Sequence, residues 1–242
     1  MGLDLETRGK HERQAGLGTW ISTHDVERLP AIGAALARAE LFARLNPVSK
    51  ESSAEVQRVL DMGARVLMLP MFRTATEVQR FVDVVAGRAT VVLLLETREA
   101  AENIERICSV KDVGEVHIGI NDLALALGMR NRFAVLGSEL IARVSSSVRE
   151  SGLPFGVGGI GRVDDAALPV PSDLVYAQYA RLGATAALIS RAFIRTGGSP
   201  RQLKDDVAAS RARLVYWEAA GQRAQEQAQE NLRVAVERVG SW

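Results

Sequence analysis

Four charged side chains, Glu6, Arg44, Glu96 and Asp122, stand where short apolar runs stop. Glu96 follows Val91-Val-Leu-Leu-Leu95, and Asp122 follows Val116-His-Ile-Gly-Ile-Asn121. If both runs are consecutive strands of a parallel barrel, the two carboxylates lie one βα unit apart on neighbours spaced about 4.8 Å. Acids so close repel unless a cation or a shared proton sits between them. Hard oxygen donors with open positions suit Mg2+ or Mn2+ better than zinc, and Mg2+ often takes only one or two protein carboxylates. The bland reading has Asp122 capping a helix and Glu96 paired with Arg98 or Arg44. Arg44 ends Glu40-Leu-Phe-Ala43, where its guanidinium could grip a substrate carboxylate through two parallel hydrogen bonds. A structural ion pair to Glu6 or Glu96 is the alternative.

Other residues carry weaker signals. Gly156-Val-Gly-Gly-Ile-Gly161 satisfies a dinucleotide-binding spacing, but the following Arg162-Val-Asp-Asp165, Pro169 and Pro171 do not open the required helix. Gly158 and Gly159 are read instead as a loop after the penultimate strand, admitting a phosphate or carboxylate to backbone N–H groups, or as a tight turn. Pro70 and Arg191 complete the residues at strand ends. The three histidines, His11, His24 and His117, have no ligand spacing. His117 falls within a strand and reads as core, whereas His11 lies in the loop after Glu6 and is an acid/base candidate. The single cysteine, Cys108, sits in a helical stretch and reads as a buried or half-buried thiol.

The elements that position these groups alternate. Apolar runs at 2–5, 39–45, 65–70, 90–95, 115–120, 154–157 and 186–190 predict seven strands. Helical periodicity falls between them at 52–62, 74–85, 99–108, 132–151 and 172–182. The fold class is α/β, a TIM (β/α)8-type barrel lacking its first βα unit, with a long C-terminal helical extension. Closure of such a barrel calls for a longer reading frame, an open seven-stranded form, or a partner chain. The expected domains are the barrel at 1–196 and the extension at 197–242. In that tail Leu203, Val207, Leu214, Trp217, Gly221, Ala224, Ala228, Leu232, Ala235 and Val239 share one face. Either Gly221 divides it into two helices, or its distal part packs on a neighbouring subunit.

Composition narrows the function further. With 30 Lys plus Arg against 29 Asp plus Glu, the net charge of +1 gives no field to draw nucleic acid or an anionic membrane. No apolar run approaches the roughly 20 residues of a bilayer span, so no membrane partner and a cytoplasmic location are expected.

Five segments, in order, resemble the HpcH/HpaI aldolase and citrate lyase β-subunit superfamily: Leu3-Asp-Leu-Glu6, Leu41-Phe-Ala-Arg-Leu-Asn-Pro47, Gly63-Ala-Arg-Val-Leu-Met-Leu-Pro70, Leu94-Leu-Glu-Thr97 and Ile118-Gly-Ile-Asn-Asp-Leu123. The resemblance runs from about Gly2 to Phe193. It implies a metal-dependent barrel enzyme that makes or breaks a carbon–carbon bond next to a 2-oxo acid or acyl-thioester carbon. Glu96 and Asp122 are then the ligands of Mg2+ or Mn2+, and Arg44 is the carboxylate clamp. Asp4 and Glu6 become residues that orient water or substrate, and the C-terminal helix the means of homo-oligomerisation. Thr7 departs from the family pattern, which usually has histidine or aspartate there, and so does Met71, which the lyase branch often replaces with lysine. These departures keep two other readings in play, a catalytically reduced binding or scaffold protein and a phosphoenolpyruvate-type barrel enzyme.

Overall fold

A computed structural model describes residues 2–13 and 23–239, except for the side chain of Arg191. The chain forms two compact units, one running through Val116 and the other from His117.

The first unit is built from β1 (Gly2–Asp4), α1 (Lys10–Arg13), α2 (Leu29–Ala35), β2 (Phe42–Arg44), α3 (Ser52–Asp61), β3 (Val66–Pro70), α4 (Ala75–Val85), β4 (Thr90–Leu95), α5 (Arg98–Glu102) and α6 (Ile104–Cys108). Strand β5 (Val113–Ile118) crosses the boundary. The second unit continues with α7 (Ile120–Ala126), α8 (Ala134–Gly137), α9 (Glu139–Glu150), β6 (Phe155–Ile160), α10 (Ser172–Leu182), β7 (Ala186–Ile189), α11 (Pro200–Ala219) and α12 (Gln222–Val239). The seven strands follow one another in chain order in the sheet, and β1–β2, β2–β3, β3–β4 and β6–β7 pair in parallel.

All seven expected strands form. Val91 through Leu95 of β4 are at most 2% exposed. An apolar strand so completely covered is what a parallel sheet with helices on it requires, and each such side chain stabilises the fold by about 2 kcal/mol. Two expected helices are divided. Asn103, with φ −103° and ψ 17°, separates α5 from α6. Ser138 is extended, and its hydroxyl accepts from the Ile141 N–H, which starts α9 afresh. Cys108, the last residue of α6, is half-buried, and His117 in β5 is 4% exposed.

The glycine segment departs from expectation. Gly158 and Gly159 lie within β6, which extends to Ile160, and not in a loop beyond it. The Gly158 Cα lies so near β5 that an added Cβ would stand 2.9 Å from the Ile118 carbonyl oxygen. Gly159 has φ +89° at a register shift against β7, an irregularity that a glycine accommodates without strain.

The tail is two helices. Ser199 caps α11 reciprocally with Gln202, and Gly221, at φ +78°, separates α11 from α12. Helix α12 returns to pack against α10 and α8, burying Ala228 and Leu232. No helix among the described residues is long and apolar enough to cross a membrane.

Candidate active site

The first unit gathers three acids and three bases. Asp4, the last residue of β1, is the register partner of Arg44, the last residue of β2. Because the strands are parallel and in register, both side chains leave from the same level of the sheet. Arg44 donates to Asp4 Oδ1 from Nε at 2.8 Å and to Oδ2 from Nη2, a two-armed carboxylate contact. Its Nη2 lies 3.6 Å from Glu6 Oε2, and its Nη1 lies 3.8 Å from Glu96 Oε1. The expected ion pairs of Arg44 with Glu6 and Glu96 are therefore present, joined by a stronger one with Asp4.

Lys10 closes the other side. Its ammonium lies 2.9 Å from Asp4 Oδ2 and 3.2 Å from Glu6 Oε2, and its side chain is only 3% exposed. Arg13, one helical turn further, donates to Glu6 Oε1. Burial would raise the Asp4 carboxyl, yet the Arg44 and Lys10 contacts outweigh it and hold the group at about 2. Burial would equally lower the Arg44 guanidinium, but the Asp4 hydrogen bond and the charges of Glu96, Asp4 and Glu6 push it upward. Both groups stay ionised near neutrality.

Two anchors hold this arrangement. Asn46 Oδ1 accepts the backbone N–H groups of Thr7 and Arg8, each at 2.9 Å, while its Nδ2 donates to Glu55 at 2.7 Å. The segment carrying Glu6 and Lys10 is thus tied to the end of β2. Glu96, 3% exposed, directly follows β4. The next residue, Thr97, caps α5 through Ala100 N–H and donates to the Phe72 carbonyl at 2.8 Å, fixing where the chain turns after Glu96. Pro70 ends β3 beside Leu94, and Met71 follows it at φ +57°.

Asp122 belongs to the second unit. It is not at a strand end: β5 stops at Ile118, Gly119 caps α7, and Asp122 lies in the first helical turn, 7% exposed. A carboxylate there is favoured by the helix dipole, but the N-cap is Gly119 and not Asp122 as the capping alternative had it. Among the described residues no group of three or more His, Cys, Asp or Glu is poised around a metal position. His11 is exposed on α1, and its neighbour Lys10 enters the cluster instead. Lys10, Arg13 and Asn46 were not singled out by sequence. A signal existed in the positions of Lys10 and Arg13, four and seven residues after Glu6, the spacing of one helical face.

Comparison with known proteins bears on the family and the fold. The model of the HpcH/HpaI aldolase/citrate lyase family matches residues 24–158, more than half of the chain. The chain belongs to that family. It is 27% identical over 167 residues to a 4-hydroxy-4-methyl-2-oxoglutarate aldolase of Chaetomium globosum, an alignment covering 54% of this chain and 62% of the relative. A 4-hydroxy-2-oxovalerate aldolase of Novosphingobium aromaticivorans is 25% identical, with 54% of this chain and 63% of the relative covered. The chain thus spans less than two thirds of the curated relatives it matches. Its fold is shared with an HpcH/HpaI aldolase/citrate lyase family protein of Burkholderia cenocepacia, at a TM-score of 0.59 and 18% identity, covering 91% of this chain and 94% of that one.

Proposed function

We propose that this chain is a divalent-metal-dependent carbon–carbon lyase or aldolase acting on a 2-oxo acid, of pyruvate or oxaloacetate type, or on an acyl-thioester. The observation that carries this reading is Arg44, an ionised guanidinium at the end of β2, reaching a buried carboxylate two strands away in the sheet, Glu96, which directly follows β4. Family membership supplies the class of reaction.

Glu96 and Asp122 are buried carboxylates, hard oxygen donors of the kind Mg2+ or Mn2+ accepts. Each is chemically able to serve as a ligand, and the burial of Glu96 is offset by the Arg44 guanidinium 3.8 Å away. When bound, such an ion supplies positive charge where the enolate oxygen develops during bond cleavage. The protein's own share lies elsewhere. Arg44 binds the substrate carboxylate and so fixes the direction of the breaking bond. Asp4 and Glu6 orient the guanidinium, and Asn46 and Thr97 hold the segments on which the acids sit. Thr7 is exposed, with its hydroxyl 3.5 Å from Asn46 Oδ1, so proton transfer falls to another group or to water.

The test is pyruvate release from oxaloacetate and from a 4-hydroxy-2-oxo acid, with Mg2+ or Mn2+ supplied. Metal-dependent release that falls by two orders of magnitude or more in Glu96→Gln is expected. Absence of saturable metal binding, together with unchanged release in Glu96→Gln, overturns the reading.

A further inference from the structure

Arg44 has a difficulty as a carboxylate clamp: it is already surrounded by acids. Asp4 takes two of its arms, and Glu6 and Glu96 lie 3.6 and 3.8 Å away. An arginine facing three carboxylates has no surplus positive charge for a fourth. Lys10 changes that balance. Its Nζ lies 2.9 Å from Asp4 and 3.2 Å from Glu6, the two acids on the β1 side of Arg44. Arg13 takes the other oxygen of Glu6. A lysine side chain 3% exposed is uncommon unless its charge is used locally, and among the described residues the carboxylates it meets are this pair.

We propose that Lys10 is a positioning residue of the clamp: by balancing Asp4, while Arg13 balances Glu6, it lets the Arg44 guanidinium exchange Asp4 for the carboxylate of a 2-oxo acid. This rests on the reading of Arg44 given under Proposed function. The chemistry of the two cations suits the division of labour. Arginine offers a rigid fork matched to a carboxylate, and lysine is a compact charge on a flexible stem with three donors that can follow Asp4 as its contact with Arg44 loosens. Without Lys10, a substrate carboxylate loosening Asp4 from Arg44 would take from a largely buried acid two of the cations that hold it, which is costly.

Calorimetric titration of Mg2+-supplemented protein with oxalate tests this on the full chain, with thermal melts confirming that each variant is folded. Lys10→Met is expected to raise the Kd for oxalate by about tenfold, the size of one displaced charge contact. Lys10→Arg keeps the charge and should stay within about threefold. Removing the competing acid makes Lys10 dispensable, so adding Lys10→Met to Asp4→Asn should leave the Kd within about twofold of that of Asp4→Asn alone. In turnover the Lys10→Met effect should fall on KM and not on kcat, because the clamp acts equally before and during bond cleavage. Wild-type affinity in Lys10→Met, or a loss of about tenfold on adding Lys10→Met to Asp4→Asn, each overturns the proposal. If Arg44→Met binds oxalate as wild type does, the clamp itself fails and the role of Lys10 falls with it. Loss of binding in Arg44→Met alongside wild-type binding in Lys10→Met removes the role of Lys10 alone.

Discussion

Asp4 and Arg44 are register partners on adjacent parallel strands, and the carboxylate of the first fills two arms of the guanidinium of the second. The pairing sets the direction of Arg44 before any substrate arrives, and replacement of that fork by a single ammonium loses the two-point contact. Arg44→Lys is expected to lower kcat/KM for a 2-oxo acid about 100-fold while the melting temperature changes little. Steady-state kinetics on the purified variant would check it, and near-native kcat/KM would show that a point charge suffices.

Acid should reveal the same pair. Asp4 titrates at about 2 when folded, against an ordinary 3.8, so the unfolded chain takes up the proton more readily. Its contribution, about 2 kcal/mol, is complete above the unfolded value and fades as the pH falls through about 2. Urea midpoints measured from pH 5 down to pH 2 should fall more steeply for wild type than for Asp4→Asn. Parallel curves would show that Asp4 gains nothing from its partners.

Metal binding should be visible without turnover. If Glu96 is a ligand, Mg2+ or Mn2+ at 100 times its Kd stabilises the folded chain by about 2.7 kcal/mol. Differential scanning should show an upward shift that a chelator reverses and that Glu96→Gln loses. An equal shift in Glu96→Gln would assign the ion to other residues.

Gly156 faces His117 closely enough that an added Cβ would lie 2.2 Å from the imidazole Cε1. Since His117 is 4% exposed, it has little room to withdraw. Gly156→Ala should cost about 2 kcal/mol of stability, measured by urea denaturation. No change would mean that the ring moves aside freely.

Leu232 secures the returning helix α12, being 1% exposed where α12 meets α10 and α8. Leu232→Ala should cost about 3 kcal/mol. A loss below about 0.5 kcal/mol, typical of an exposed position, would contradict packing of α12 on its own unit.

The strands were legible because their signal is local: Thr90 through Leu95 is an uninterrupted β-branched and leucine run, and Glu96 stands out as the charge that ends it. Asp122 was harder. Ile120 continues the apolar run past Gly119, so the change from strand to helix at that glycine is hidden from periodicity. The breaks at Asn103 and Ser138 depend on single backbone conformations inside otherwise helical patterns. Lys10 illustrates a different limit. A lone lysine beside a histidine reads as a solvated charge, and its burial follows from Asp4 and Glu6 converging on it, which only the folded chain displays.

Asn46 carries a consequence for the order in which the molecule is assembled. The N–H groups of Thr7 and Arg8 find their acceptor 39 and 38 residues later in the chain, and Asp4 finds Arg44 40 residues later. During synthesis from the N-terminal side, β1 emerges well before β2, the strand that follows it in the sheet, exists. The earliest-made part of this charged cluster therefore gains its hydrogen-bond partners only once the strand that ends at Arg44 has been synthesised and docked.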